Sequence, residues 1–205
     1  RYDSAGSLVG GMEVQLPGTG AEEGADERFG VPENLDIIGT MNTADRSIAL
    51  LDIALRRRFE FREIGPDYGL LDRRVEEVDL GRLLRAINDR LEFLADRDRL
   101  IGHAYLWRVR SIDDLREVFL RQVIPLLQEY FFDDWSQVEL VLSSGNGKSA
   151  FIRSATLDGA KLFGASTEVA TTERVKYEIT NPDGWGVAAF TGIYAPGAGL
   201  VEEED

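Results

Sequence analysis

A chain of 205 residues can bury a real core in one or two compact units, and 43% hydrophobic with 29% charged residues is ordinary for a globular protein. No apolar run approaches the roughly 20 residues that cross a bilayer, and no signal-peptide layout opens the sequence. The net charge of −14 argues against a general nucleic-acid surface, the absence of cysteine excludes disulfides and thiolate metal sites and fits a cytoplasmic location, and a single histidine, His103, makes a zinc site improbable.

The first residue is Arg1, followed by a Gly/Ser stretch, so the chain reads as a piece of a longer protein. Residues 12–16 (MEVQL) alternate apolar and polar at the period of a half-buried strand. Residues 17–27 are rich in Gly, Glu and Asp and predict a loop, after which 28–31 pair back as a hairpin that Pro32 stops. Residues 35–40 (LDIIGT) form a short apolar run expected of a central parallel strand. Thr43 or Asp45 can cap the next helix, whose face carries Ile48, Leu51 and Leu55 and which ends in Arg56, Arg57 and Arg58. Residues 59–61 resume a strand.

From Pro66 the period becomes helical. Leu80, Leu84, Ile87, Leu91 and Leu94 give one apolar stripe. Ser111 opens a capped helix with Leu115, Val118, Phe119 and Val123 on one face, and Pro125 should kink or restart it. Leu126, Leu127, Tyr130 and Phe131 continue an apolar segment. Beyond Ser144, short strands are expected at 151–152, 175–179 and 187–194, and the closing run 202–205 (EEED) is a solvated tail.

Two stretches bear on chemistry. Residues 37–47 (IIGTMNTADRS) read as a strand that delivers polar side chains to its C-terminal edge, where open α/β sheets place ligands. Asn, Thr and Asp also favour helix-capping turns, and three arginines can complement a helix dipole or the chain's own carboxylates. Residues 145–149 (GNGKS) look like a phosphate loop but are not one. The pattern needs glycine five positions before Gly147, where Leu142 stands, and a strand before it rather than a helix.

The string VPENLDIIGTMNTADRSIALLDIALRRRFEF (residues 31–61) closely resembles the AAA+ domain of McrB-type proteins, the motor subunits of methyl-directed restriction systems. IGHAYL (101–106) and IPLLQEYFFDDW (124–135) resemble that family's helical lid. The resemblance implies an α/β fold: the C-terminal part of a AAA+ P-loop NTPase core, with parallel sheet strands and a β-hairpin insert, over residues 1–66. A helical lid follows at 67–150, then a small β-rich C-terminal extension with its acidic tail at 151–205.

The same resemblance gives Asn42 the sensor 1 role of positioning the attacking water, with Thr43 and Asp45 completing the sensor loop. Arg57 or Arg58 becomes the arginine finger, the triplet leaving open which. Arg46 either bridges subunits or sits in a local ion pair, and His103 is either a sensor 2 residue or a local structural group. It further implies GTP, with ATP as the alternative, and Mg2+ in the full-length parent, but no resident metal site in this chain. Its partners would be a homo-oligomeric ring, a hexamer, a McrC-like nuclease, and modified DNA met through an N-terminal domain outside this sequence, with no membrane. Neither a Walker A loop nor a Walker B strand occurs in these residues, so the piece is expected to be inactive alone. A MoxR-like AAA+ ATPase chaperone and a non-catalytic assembly module are the alternatives.

Overall fold

The computed structural model describes residues 5, 14–15, 28–29, 35–41, 57–145, 147–164, 168, 171 and 173–195, in two units, Arg1–Asn42 and Thr43–Asp205. In the first, β1 (Val14–Gln15) pairs antiparallel with β2 (Arg28–Phe29), Val14 opposite Phe29 and Gln15 opposite Arg28. The expected hairpin is therefore formed. The expected parallel strand is not: residues 35–41 are irregular and exposed, with Ile38 at 91%. An apolar run becomes a central strand only when neighbouring strands satisfy its backbone and cover both faces. All described sheets are two-stranded and antiparallel. Residues 59–61 are likewise exposed and irregular, not a strand, with Phe59 and Phe61 uncovered.

The first described element of the second unit is a 3-10 turn, Tyr68–Leu71, capped by Asp67. A tight hairpin follows, β3 (Arg74–Val75) and β4 (Val78–Asp79), and leads directly into α1 (Leu80–Leu94). Asp79 caps that helix by accepting from the Arg82 N–H at 2.9 Å. The predicted stripe is the buried face of α1, widened by Leu83, Ala86 and Asn88. Ser111 and Asp114 form a reciprocal capping box at the start of α2 (Ile112–Val118).

Pro125 neither breaks nor sharply ends the rod. A π-helical turn (Phe119–Val123) joins α2 to α3 (Ile124–Tyr130), and the Ile124 N–H bonds to the Phe119 carbonyl five residues back. Proline has no N–H to give and its ring crowds the carbonyl four residues earlier. The wider turn accommodates both within a continuous helix.

The end of α3 is a Schellman turn: Asp133 N–H to Gln128 O at 2.9 Å and Phe132 N–H to Glu129 O at 3.3 Å. Phe132 (φ 52) holds the left-handed position that glycine ordinarily fills. That conformation costs a side-chain-bearing residue about 1–2 kcal/mol. Stacking of its ring on the Arg99 guanidinium, 5.5 Å from the ring centre, returns about 0.5–1 kcal/mol. The turn leads into α4 (Trp135–Val141), capped by Asp134.

Residues 152–194 add β5 (Ile152–Asp158), α5 (Gly159–Phe163), β6 (Glu173–Ile179) and α6 (Val187–Thr191). β5 and β6 pair antiparallel from Ile152–Ile179 to Asp158–Glu173, which realises the strands expected at 151–152 and 175–179. The strand expected at 187–194 is a short helix instead. Phe190, Ile193 and Tyr194, spaced three and four apart, all turn inward, and an alternating strand would bury only every second one. Gly192 sits in close quarters where the helix ends: a Cβ there would stand 3.0 Å from the Ala188 carbonyl.

One hydrophobic core runs from Leu71 to Tyr194. At its centre Phe151 meets Phe119 (5.3 Å between ring centres), Trp185 (5.1 Å) and Phe190 (5.3 Å). The helices and the extension thus share their interior.

Candidate functional site

Of the residues singled out from sequence, Asn42, Thr43, Asp45 and Arg46 lie outside the described residues, as does the helix expected after them. Arg57 and Arg58 are described: both are exposed, on a turn before the irregular segment 59–67.

His103 opens a 3-10 turn (His103–Tyr105) at one edge of the helical unit. Its position follows from α1. The buried Asn88 accepts from the Ile101 N–H at 2.8 Å and donates to the Ile101 carbonyl at 3.0 Å, while also donating to the Tyr68 hydroxyl at 3.1 Å. Burial raises the Tyr68 phenol above its ordinary value, with the Asn88 bond opposing it. Two residues past that clasp, His103 Nδ1 accepts from the Asp67 N–H at 3.0 Å. The accepting nitrogen carries no proton, so the neutral ring has its N–H at Nε2 and can offer it to a ligand oxygen. The Trp107 ring lies edge-on at 6.3 Å.

The same edge gathers positive charge that sequence reading missed. Arg73 donates to the Leu106 carbonyl at 2.9 Å and to the Trp107 carbonyl, while Arg110 donates to the Trp107 and Val109 carbonyls, each at 3.0 Å. Burial lowers the Arg73 pKa from its ordinary value, and the like charge of Arg110 adds to this. Nothing in the linear pattern joins Arg73 to Arg110. Asn88 did leave a signal: a polar residue standing in the apolar stripe of α1.

The stretch 145–149 closes on itself. Ser144 N–H bonds to Lys148 O at 2.8 Å, Gly147 N–H bonds to Ser144 O at 2.9 Å, and Gly147 takes φ 77. Both of these N–H groups are spent on the turn.

The unit is helical, with a polar loop pinned to the Asp67 backbone through His103. Residues 79–139 match the family described as McrB, alpha-helical lid domain. Over 133 residues, 55% of the chain, the sequence is 38% identical to the Type IV methyl-directed restriction enzyme EcoKMcrB subunit of Escherichia coli (strain K12). The chain spans 28% of that relative's length. By these two matches residues 79–139 resemble the McrB lid, and the chain is similar over part of its length to a methyl-directed restriction subunit. No helix among the described residues is long and apolar enough to cross a membrane.

Proposed function

We propose that the chain supplies the sensor 1 loop, the arginine finger and the lid of a McrB-like AAA+ NTPase. Residues 1–66 would be the C-terminal part of its α/β core, 67–150 the lid and 151–205 an appended β-rich unit. The observation that carries this reading is the 38% identity over 133 residues to a methyl-directed restriction subunit. The parent would be a cytoplasmic ring, a hexamer, that hydrolyses GTP, with ATP as the alternative. It would drive a McrC-like nuclease on modified foreign DNA, as in defence against phage.

In this reading the Asn42 amide donates to the γ-phosphate and accepts from the attacking water, which an amide can do at once. Thr43 and Asp45 hold that loop, and Arg46 steadies it or the subunit boundary. Arg57 or Arg58 reaches the nucleotide of the adjacent subunit, and the exposure of both supports a role that requires reach. A finger contributes roughly a thousandfold or more in rate, upward of about 4 kcal/mol. His103, with Nδ1 engaged by Asp67, would offer Nε2–H to a phosphate oxygen. Among the described residues no His, Asp and Glu side chains group to hold a metal ion. Magnesium neutralises phosphate charge when bound.

The test is GTP and ATP turnover by the chain extended through its phosphate loop. Asn42→Ala and one of Arg57→Ala or Arg58→Ala should each lose about a thousandfold with nucleotide affinity retained. Unchanged turnover in these variants removes the sensor and finger assignments. A strong preference for ATP moves the reading to a MoxR-like motor.

A further inference from the structure

Phe132 is 77% exposed, although it occupies a left-handed position that glycine would take at less cost. Its stacking on Arg99 returns only about half of that cost, so the fold gains little from keeping a phenylalanine there. Its surroundings are acidic. Glu129, Asp133 and Asp134 are all exposed beside it, and no described lysine or arginine forms a salt bridge with Glu129 or Asp133. The bond from the Ser136 hydroxyl holds the Asp134 carboxyl below its ordinary value. Beneath the ring, the Arg99 side chain is only 11% exposed and also donates to the Tyr130 carbonyl. The aromatic is thus held in place before anything meets it.

We propose that Phe132 and its acidic rim are a docking knob for a different protein, one that offers an apolar pocket edged with lysine or arginine. A fixed aromatic filling a pocket is the usual energetic centre of an interface, and a charged rim selects and steers the partner. Preorganisation by Arg99 lowers the ordering cost of binding. A second copy of this chain, at net charge −14, or a nucleic acid would bring like charge to the rim. The inference does not depend on nucleotide turnover, which reads other residues.

The experiment places the photo-crosslinker p-benzoyl-L-phenylalanine at position 132 of the full protein in its own cells and identifies the attached segment by mass spectrometry. The expected product joins position 132 to an apolar segment flanked by Lys or Arg in another protein. Its yield should fall severalfold when Glu129→Gln, Asp133→Asn and Asp134→Asn are combined; asparagine keeps the α4 cap. Attachment only to another copy of this chain, to nucleic acid, or to nothing overturns the proposal, as does a yield indifferent to the neutralised rim. Phe132→Gly supplies a second readout: its thermal midpoint should equal or exceed the parent's. A clear drop would show that the ring serves the fold and would overturn the proposal as well.

Discussion

The side chain of Asn88 grips the backbone of Ile101 at both polar atoms, taking its N–H at 2.8 Å and giving to its carbonyl at 3.0 Å. Both residues are about 1% exposed, so no water replaces either bond. This clasp fixes the start of the loop that carries His103, and through His103 Nδ1 it extends to the Asp67 backbone 36 positions earlier.

Asn88→Ala should leave both Ile101 groups buried and unpaired. The expected loss is about 2–4 kcal/mol, measurable as a lower urea midpoint, and amides of residues 101–105 should exchange faster. An unchanged midpoint would mean that the loop is held elsewhere.

Arg90 joins three strands of backbone. Its guanidinium donates to Val141 O at 2.8 Å, Ser143 O at 2.6 Å and Ile193 O at 2.8 Å. Burial lowers its pKa from the ordinary value. A lysine ammonium lacks the planar fork needed to serve carbonyls in two directions. Arg90→Lys should therefore cost about 1–3 kcal/mol in thermal unfolding and release the end of α4 and residue 193 together.

Phe151 is fully buried among Phe119, Trp185 and Phe190. Phe151→Ala should destabilise the whole second unit by about 3–5 kcal/mol. Ending the chain at residue 150 should uncover Phe119 and produce a species that binds a hydrophobic dye. A truncated chain that unfolds as cooperatively as the original would refute a shared core.

Glu178 on β6 meets Lys176 at 2.5 Å and Arg153 of β5 at 2.7 Å. Lys176 first and Arg153 second hold its carboxyl at about 2, below its ordinary 4.5. The folded value lies below the unfolded one, so this stabilisation is complete above about 4.5 and is lost as pH falls toward 2. The side chain is about 40% exposed, and salt should weaken the effect. An NMR titration should place the Glu178 midpoint near 2, with Lys176→Met raising it; a midpoint near 4.5 in the parent would show that the pairs do not form in solution.

Local chemistry read in one dimension determined the hairpin that pairs Val14 with Phe29, the apolar face of α1, the Ser111 capping box and the strand segments at 151–152 and 175–179. Each depends on neighbours a few residues away, or on a period that repeats within one element. The family wording of residues 31–61 and of the lid likewise stood in the sequence, and the lid match at 79–139 accords with it. Tertiary structure alone decided the remainder. Residues 35–41 pair with no described strand and are irregular. Residues 187–191 become a helix because Phe190 has a Phe119–Phe151 pocket to fill. Arg73 and Arg110 converge on the Trp107 carbonyl from 37 positions apart. Burial and long-range hydrogen bonding depend on which surfaces meet, and a linear pattern encodes that only weakly.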